Sequence, residues 1–234
     1  MQKLFHKWQL RPKLKLIKTF QTVITNDLDL AKTILNSGGV IGIPTETVYG
    51  LAGNAMDGDS IASIFRIKNR PYFNPLIAHI GKIEQLKSLC SNIPKEAQEL
   101  IDAFWPGPLT LVLPKKKSVP DILTSGLNKV AVRMPSHPMT LELLKSIKYP
   151  LAAPSANPYK YVSPTCAQHV KNQIGGSIPL ILDGGQCEIG LESTIIGFED
   201  NMAVIYRLGG LAIESIEEVL SLIHISEPTR PKSI

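Results

Sequence analysis

Short apolar runs alternate with amphipathic segments along almost the whole chain, and this alternation constrains the fold more than any other feature. The apolar runs are far shorter than the roughly 18 residues that a membrane helix needs, and they have the length of buried strands. The segments between them repeat their apolar residues every three to four positions, as helices do. The sequence therefore predicts an α/β protein whose helices pack on a sheet.

The predicted elements follow from this period and from residues that start or stop an element. Strands are expected at residues 40–44, 75–80, 109–114, 129–135, 150–157, 179–183, 193–198 and 203–208. Helices are expected at residues 25–37, 59–68, 83–90, 95–105, 136–148, 163–174 and 212–222. Thr25 or Asn26 can cap the first helix. Because the connections near the carboxyl terminus are short, antiparallel pairs are expected among the parallel ones, giving a mixed sheet.

The formal net charge of +5 is distributed unevenly. Residues 1–26 carry +6, residues 224–234 carry +1, and the body between them carries −2. A body with this charge is not typical of a domain that binds nucleic acid through its phosphates. We interpret residues 1–18 as a basic arm that should be mobile, residues 19–223 as one domain, and residues 224–234 as a non-native-looking tail without periodicity.

The cysteines bear on the cellular compartment. Cys90, Cys166 and Cys187 are odd in number and widely spaced, with no C-x-x-C pair. This pattern favours free thiols in a reducing compartment over a disulfide framework or a zinc knuckle. The amino-terminal arm also lacks the long apolar core and cleavage site of a secretory signal. A cytoplasmic protein without a membrane segment is therefore expected.

Common phosphate-binding and nucleophile motifs are absent: the sequence has no G-x-x-x-x-G-K-[ST], G-x-G-x-x-G, H-E-x-x-H or G-x-S-x-G. The first candidate run is PTETVYGLAGNA at residues 44–55, which follows a predicted strand. Its Thr45 and Thr47 lie at a strand end, where open α/β sheets place ligands. The same run is also compatible with a polar loop whose tyrosine serves packing.

The second run, RIKNRPYFNPLIAHI at residues 66–80, brings two basic side chains together. Pro71 favours an extended Arg70, and residues two apart in an extended segment point the same way, so Lys68 and Arg70 could reach one anion. The alternative is a solvated charge pair at a helix end, where exposed charges contribute little to folding. His79 lies alone on a predicted strand, where a histidine is more often a surface or satisfied core residue than a ligand.

Two later runs add further candidates. In PLAAPSANPYKYVSPT at residues 150–165, flanking prolines favour extended backbone, so Ser155 and Asn157 should face one side. A hydroxyl beside an amide can bind a phosphate, a ribose or a base edge, although these residues also favour turns. In LDGGQCEIGLESTIIGF and the following IYRLGG, Ser193 begins one predicted strand and Arg207 ends the next, before a Gly-Gly pair that permits close approach of a ligand.

Together these runs resemble the YrdC-type family of threonylcarbamoyl-AMP synthases, from about residue 23 to about residue 220. The motifs that carry the resemblance are PTETVYGL, the K-x-R of Lys68 and Arg70 followed by NPLIAHI, the S-x-N of Ser155 and Asn157, and GLESTII. The resemblance implies a single open, twisted mixed sheet flanked by helices, with a wide concave substrate groove. It also implies an ATP-dependent nucleotidyltransferase that converts L-threonine and bicarbonate into threonylcarbamoyl-AMP with release of pyrophosphate, the first step of threonylcarbamoyladenosine modification of tRNA.

The resemblance further implies roles for individual residues. Lys68 and Arg70 look like the catalytic triphosphate clamp. Further nucleotide ligands would be Ser155, Asn157, Ser193 and Arg207, and the threonine side of the groove would hold Thr45, Thr47, His79 and Arg133. Magnesium would be carried by the triphosphate, because the sequence shows no carboxylate cluster for a protein metal site. The implied partners are the downstream tRNA threonylcarbamoyl-transferase machinery and, weakly, tRNA itself.

Some features depart from the family pattern. Leu208 follows Arg207 where the family usually has proline, and neither the basic arm nor the tail has a family counterpart. Three alternatives stay open. A non-catalytic RNA-binding module of the same fold would fit poorly with a body charge of −2. The carbamoyl-transfer domain of hydrogenase maturation proteins would carry zinc-finger cysteine pairs, which this chain lacks. An inactive homologue would keep all of these motifs.

Overall fold

The computed structural model describes residues 19–199 and 202–220 of the 234-residue chain. The predicted basic arm at 1–18 and the predicted tail at 224–234 lie outside the described residues, and so do residues 221–223 of the predicted domain. These assignments stay predictions. Within the described ranges, no helix is long and apolar enough to cross a membrane.

Strands and helices alternate through the described residues, as the sequence predicts. The strands are β1 (Val23–Thr25), β2 (Ile41–Ile43), β3 (Gly50–Asn54), β4 (Ile77–His79), β5 (Leu109–Pro114), β6 (Lys129–Arg133), β7 (Leu151–Ala152), β8 (Leu180–Leu182), β9 (Thr194–Glu199) and β10 (Met202–Arg207). The helices are α1 (Leu28–Asn36), α2 (Gly58–Lys68), α3 (Leu86–Leu89), α4 (Lys95–Phe104), α5 (Pro138–Ser146), α6 (Ala167–Ile174) and α7 (Ile213–Val219), and a 3-10 turn at Ile83–Gln85 precedes α3.

All these strands join in one sheet, in the order β1-β8-β2-β3-β7-β4-β6-β5-β9-β10. The pairs β1–β8, β2–β8, β4–β6 and β5–β9 are parallel. The pairs β2–β3, β3–β7, β4–β7, β5–β6 and β9–β10 are antiparallel. The predicted mixed sheet is therefore confirmed. In its centre, His79 on β4 is the register partner of both Arg133 and Leu151, which brings residues from three distant parts of the chain together.

Two buried apolar clusters hold the helices on the sheet. Helix α2 contributes Ile61, Ile64 and Phe65, which share one face by their spacing and are all 1% exposed or less. Burying one side chain of this size stabilises the fold by about 1.5–3 kcal/mol. The core therefore fixes the carboxyl end of α2, where Lys68 is the last helical residue.

β1 and β3 are not among the predicted strands. β3 consists of small residues, GLAGN, whose intrinsic strand preference is weak. It becomes a strand because it is buried between β2 and β7 and hydrogen-bonds to both. β1 is a short strand that pairs with β8, and its last residue, Thr25, is the residue at which the first helix is predicted to begin. The PTETVYGL run therefore connects two paired strands and continues into β3.

Helix α1 begins later than predicted and has a different cap. The side chain of Asp27 accepts a hydrogen bond from the backbone N–H of Leu30 at 2.9 Å. The prediction of Thr25 or Asn26 as the cap is wrong, because β1 keeps the chain extended through Thr25. The predicted helix at 163–174 likewise begins only at Ala167, after a loop that lines the site described below.

Replacing the true cap should lower the stability of the fold. Asp27→Ala should reduce the free energy of unfolding by about 1 kcal/mol, since it leaves a helix-terminal N–H without its acceptor. Urea unfolding followed by circular dichroism measures this change. Asn26→Ala is the matched control, because Asn26 is exposed and makes no side-chain hydrogen bond among the described residues. Equal losses for the two variants would contradict the assignment of Asp27 as the cap.

Candidate active site

One cavity of about 740 Å³ gathers the residues that the sequence singles out. All ten predicted site residues line it: Thr45, Thr47, Lys68, Arg70, His79, Arg133, Ser155, Asn157, Ser193 and Arg207. Residues this far apart in the chain meet because the strand order brings β4, β6 and β7 together and places β9 and β10 beside β5. The cavity is therefore the candidate active site. The role of each residue and the wide concave shape of the groove stay predictions.

The connection between β2 and β3 presents two threonine hydroxyls. Thr45 Oγ1 donates to the carbonyl of Val48 at 2.6 Å and accepts from the backbone N–H groups of Thr47 and Val48, both at 3.2 Å. Because this uses the only hydroxyl proton of Thr45, Thr47 is the donor in the 2.8 Å bond between the two hydroxyls. Thr45 is thus engaged in holding the turn, whereas Thr47 Oγ1 presents acceptor capacity.

Arg133 lies behind Thr47 and is 4% exposed. Its Nη1 donates to Thr47 Oγ1 at 2.9 Å, and its Nε donates to Gly107 O at 3.2 Å. Its Nη2 is 2.7 Å from Glu46 Oε1, but the geometry is not that of a hydrogen bond, and neither Glu46 oxygen accepts one within the described ranges. Burial lowers the pKa of Arg133, and the negative charge of Glu46 opposes this shift. The negative charge of Glu46 therefore compensates the buried charge of Arg133.

Removing the charge of Glu46 should destabilise the protein strongly. Glu46→Gln leaves Arg133 as a buried charge without a counterion, which typically costs about 3–5 kcal/mol. For a domain of this size we expect the midpoint of thermal unfolding to fall by roughly 6–20 °C. Glu84→Gln is the matched control, because Glu84 is exposed and makes no salt bridge among the described residues. A midpoint for Glu46→Gln equal to that of this control would show that the pair contributes nothing to folding.

His79 ends β4 and is 2% exposed. Burial lowers its pKa to about 3, and the positive charge of Arg133 acts in the same direction. The ring is therefore neutral at physiological pH. Its Nδ1 lies 3.3 Å from the carbonyl of Ile77, which assigns the proton to Nδ1 and leaves Nε2 as an acceptor. His79 and Thr47 thus both present acceptors to a ligand that carries O–H or N–H groups.

Lys68 differs from its prediction in two ways. It is the last residue of α2 and is 1% exposed, and its Nζ donates to the carbonyls of Asn157, at 2.5 Å, and of Ser155. It is therefore not a solvated charge. It also does not share an extended segment with Arg70, because Asn69 between them adopts a left-handed conformation with φ of 51° that ends the helix. Asparagine tolerates this conformation better than most residues.

The surroundings of Lys68 make its charge sensitive to ligands. Burial lowers its pKa to about 7, and the positive charge of Arg70 acts in the same direction. The ordinary lysine pKa is 10.5. An anion that binds beside the ammonium favours its charged form and raises the pKa again. A lysine with such a depressed pKa in a cavity is a candidate for a functional role.

Arg70 and the loop after Asn157 are interlocked. Arg70 donates through Nε to Asn74 O and through Nη2 to Pro75 O, both at 3.1 Å, and its guanidinium carbon is 5.8 Å from the ring centroid of Tyr159. The backbone N–H of Tyr159 donates to Lys68 O at 2.7 Å. Burial lowers the pKa of Arg70, with Tyr159 opposing the shift. The K-x-R and S-x-N motifs therefore form one structural unit.

Ser155 and Asn157 both line the cavity, as their predicted extended backbone implies. Ser155 forms an isolated bridge with Gly50. Asn157 is 4% exposed, and its Nδ2 donates to Pro158 O at 3.0 Å and to Tyr161 O at 2.7 Å. Its Oδ1 accepts no hydrogen bond from any described residue. Asn157 therefore shapes the loop that follows it and retains an acceptor.

Arg207 and Ser193 join the ends of β9 and β10. Arg207 donates to Ser193 O through Nε at 3.1 Å and through Nη2 at 2.8 Å. The Ser193 hydroxyl lies 2.7 Å from that of Thr110 on β5. A Cβ at Gly209 would lie 2.1 Å from the carbonyl of Glu192, so only glycine allows this close approach. These contacts hold Arg207 at the cavity although leucine, not proline, follows it.

Several cavity residues were not among those predicted. Among them are Asn74, Lys129, Tyr159, Lys160 and Glu192. Tyr159 and Lys160 lie inside the S-x-N run, and Glu192 lies inside the GLESTII run, so proximity to those motifs could have suggested them. Asn74 likewise begins the NPLIAHI run, whereas no sequence signal distinguishes Lys129.

The cavity is strongly electropositive. Its lining includes six basic side chains and a single acidic one: Lys68, Arg70, Lys129, Arg133, Lys160 and Arg207 against Glu192. A cavity with this excess of basic groups attracts a polyanion. Among the residues that the structure describes, no group of three or more His, Cys, Asp or Glu side chains could hold a metal ion. Fixed cations of this kind can stabilise negative charge that develops during phosphoryl or nucleotidyl transfer.

Comparisons with a family model and with known proteins all identify the same family. Residues 33–209 match the family model Sua5_yciO_yrdC, which is described as telomere recombination. Threonylcarbamoyl-AMP synthase of Pyrococcus abyssi is 47% identical over 205 residues, which cover 88% of this chain and 60% of the relative. Threonylcarbamoyl-AMP synthase of Bacillus subtilis is 45% identical over 209 residues, which cover 87% of this chain and 60% of the relative. The chain thus spans 60% of the length of these curated relatives.

A solved structure agrees with the fold. The crystal structure of P. abyssi Sua5 complexed with L-threonine superposes with a TM-score of 0.86 at 44% identity, over 91% of this chain and 64% of that chain. This match confirms the predicted mixed sheet, open and flanked by helices.

Proposed function

The chain belongs to the Sua5/YciO/YrdC family, and on that premise we propose that it makes threonylcarbamoyl-AMP from L-threonine, bicarbonate and ATP, with release of pyrophosphate and water. The observation that carries the proposal is the convergence of all ten predicted site residues on one basic cavity. Two relatives named threonylcarbamoyl-AMP synthase support it at 45% and 47% identity. Because this chain spans 60% of their length, the activity of the whole relatives comes to it as part of the proposal.

On this proposal, Lys68 and Arg70 hold the triphosphate of ATP. Both have cationic groups at the cavity, and both are fixed by backbone carbonyls before any ligand binds. Such prior fixation matters because a donor that is already in place costs no reorganisation during the reaction. Ser155, Asn157, Ser193 and Arg207 bind other parts of the nucleotide. Asn157 Oδ1, which has no described partner, is available to a ligand donor.

The reaction then has two stages. The amine of threonine forms a carbamate with bicarbonate, and water leaves. A carbamate oxygen then attacks the α-phosphorus of ATP, the bond to the β-phosphate oxygen breaks, and pyrophosphate departs. Negative charge grows on the phosphoryl oxygens and the leaving group, and the fixed cations of the cavity stabilise it. No protein nucleophile is required.

Magnesium would enter with the triphosphate and neutralise part of its charge. The cavity fits this arrangement, because Glu192 is the single carboxylate among its lining residues and one carboxylate with phosphate oxygens can suffice for magnesium. The protein's own contribution remains to bind and orient the phosphates through its cations.

In the part of the cavity assigned to the amino-acid substrate, the protein presents hydrogen-bond acceptors, which favours a ligand with hydrogen-bond donors. Thr47 Oγ1 and His79 Nε2 can accept hydrogen bonds, while Arg133 places its positive charge beside them. Thr45 acts through the turn, since its hydroxyl is already engaged. A substrate with a hydroxyl, an amine and a carboxylate matches this combination, and the threonine bound by P. abyssi Sua5 supports the assignment.

The product passes to the machinery that transfers the threonylcarbamoyl group to tRNA, and we propose a cytoplasmic location for both. Direct contact with tRNA is at most weak, because the body of the chain carries −2. The non-catalytic RNA-binding alternative has less support, since relatives at 45–47% identity are named as synthases. Mass spectrometry of the reaction mixture tests the proposal: it should contain threonylcarbamoyl-AMP. Binding of tRNA without this product would support the alternative.

A further inference from the structure

Lys160 has a backbone conformation that lysine rarely adopts. Its φ is 71°, in the left-handed region where glycine is the usual residue and where a Cβ is unfavourable. Neighbouring bonds enforce this conformation on both sides. Tyr159 N donates to Lys68 O at 2.7 Å, and Tyr161 O accepts from Asn157 Nδ2 at 2.7 Å. A non-glycine residue held in such a conformation at a cavity is a reason to look for a function of its side chain.

The ammonium of Lys160 has no hydrogen-bond acceptor and no carboxylate partner among the described residues. The other five basic side chains of the cavity each donate to protein oxygens: Lys68 to Asn157, Arg70 to Asn74, Lys129 to Phe198, Arg133 to Gly107 and Arg207 to Ser193. Lys160 makes no hydrogen bond or salt bridge to any residue that the structure describes, although it lines the same cavity. Its three donors are therefore available to a ligand.

The position of Lys160 relates it to the predicted clamp. Its Nζ lies 5.9 Å from the ring centroid of Tyr159, and the guanidinium carbon of Arg70 lies 5.8 Å from the same centroid. Both cations are thus beside one aromatic ring, whose face attracts positive charge. The single acidic residue of the cavity, Glu192, accepts a 2.5 Å hydrogen bond from Ser163. No salt bridge among the described residues joins Glu192 to Lys160, so the described protein supplies no paired anion for this ammonium.

We propose that Lys160 is a further phosphate-binding residue, which contacts the triphosphate of the nucleotide beside Arg70. This inference rests on the proposed function, because it takes ATP as the polyanion of the cavity. Lys160 lines the cavity from a loop in which its own backbone is left-handed. Lys160 thus adds a mobile point charge to the fixed cations Lys68 and Arg70, and it can follow the phosphates as they separate.

The test uses variants that separate charge from backbone conformation. Lys160→Gly and Lys160→Asn both suit a left-handed backbone, and both remove the ammonium. We expect each to weaken ATP binding about tenfold, measured by calorimetric titration, and to leave the dissociation constant for threonine unchanged. Their thermal midpoints should stay equal to or above that of the wild type, because the strain is relieved. Lys160→Arg should keep most of the ATP affinity.

The outcomes distinguish this inference from the proposed function. If the wild type binds ATP and the Gly and Asn variants bind it equally well, Lys160 is not a phosphate ligand and the inference is overturned. If the wild type does not bind ATP at all, the proposed function itself fails. An equal loss of affinity for ATP and threonine would also overturn the inference, since it would indicate a general disturbance of the loop.

Discussion

Valine should be used about 10⁴-fold less efficiently than threonine, measured as kcat/KM for pyrophosphate release with saturating ATP and bicarbonate. Valine replaces the hydroxyl of threonine by a methyl group of similar size. It would leave the acceptors Thr47 Oγ1 and His79 Nε2 facing an apolar group, and neither residue is more than 2% exposed to water that could replace the hydroxyl. A site built to hydrogen-bond a hydroxyl discriminates strongly for this reason, because its own buried polar groups lose their partners.

Serine should be a poor substrate for a different reason. It keeps the hydroxyl and lacks only one methyl group, so we expect a loss of about 10–200-fold. Thr47→Val tests the same interaction from the protein side: it should reduce the use of threonine and leave the residual use of valine almost unchanged. Thr47→Ser keeps the hydroxyl and is the matched control. Equal pyrophosphate release with valine and threonine in the wild type would contradict this account of selectivity.

Lys68→Ala should lower kcat/KM for pyrophosphate release by about 10²–10³-fold, which corresponds to about 3–4 kcal/mol of transition-state stabilisation. The ammonium is fixed by two carbonyls and faces charge that moves to the leaving pyrophosphate. Its loss should therefore reduce kcat as well as ATP affinity. Arg70→Ala should fall in the same range, and Arg70→Lys should restore only part, because a point charge cannot reproduce a bidentate fork.

Because Lys68 is buried, a second variant is needed to distinguish an effect on folding from an effect on catalysis. Lys68→Ala also removes a packed four-carbon stem, so some loss of stability is expected with the loss of activity. Lys68→Met keeps a stem of similar length without the charge. We expect Lys68→Met to recover much of the thermal stability and none of the activity. Near-normal activity in Lys68→Met would show that the charge does not take part in the reaction.

The depressed pKa of Lys68 gives the same prediction a pH signature. In the free protein its ammonium loses a proton as the pH rises through about 7. A bound triphosphate raises this pKa, so binding above pH 7 should take up a proton, and ATP affinity should fall as the pH increases further. Calorimetric titration in buffers of different ionisation enthalpy measures the uptake. Lys68→Arg stays charged throughout and should remove this pH dependence.

The sequence predicts the fold class from its local pattern of apolar runs, and it predicts the candidate site residues mainly through the resemblance to the YrdC-type family. Apolar runs of strand length locate most of the sheet, and the four motifs contain eight of the ten predicted residues that line one cavity. Of the other two, Arg207 lies in the IYRLGG run and Arg133 comes from the family resemblance alone. β3 escapes prediction because its residues, GLAGN, have weak strand preference and are held in the sheet by their neighbours. The cap of α1 is misplaced because β1 extends through Thr25, which local capping rules do not reveal.

Local sequence patterns do not predict the burial and the contacts of each site residue. The sequence is compatible with Lys68 as an exposed charge at a helix end. In the structure Lys68 is buried, and its ammonium donates to the carbonyls of Ser155 and Asn157. In the sequence Glu46 is one polar residue of a predicted loop. In the structure its carboxylate pairs with the guanidinium of Arg133, which is distant in the chain. In the sequence Lys160 is an ordinary loop lysine. Its left-handed backbone, and the absence of a hydrogen-bond or salt-bridge partner among the described residues, distinguish it from the other basic residues of the cavity. Each of these properties depends on long-range contacts.

Pyrophosphate release by the wild-type protein tests the central claim most directly. The reaction is assembled with ATP, magnesium, L-threonine and bicarbonate, and ATP, threonine and bicarbonate are each omitted in turn, with a mixture that lacks the protein as the blank. We predict release above the blank only when all three substrates are present. Release that continues at the same rate without threonine or without bicarbonate, or no release from the complete mixture, would contradict the claim that this cavity makes threonylcarbamoyl-AMP.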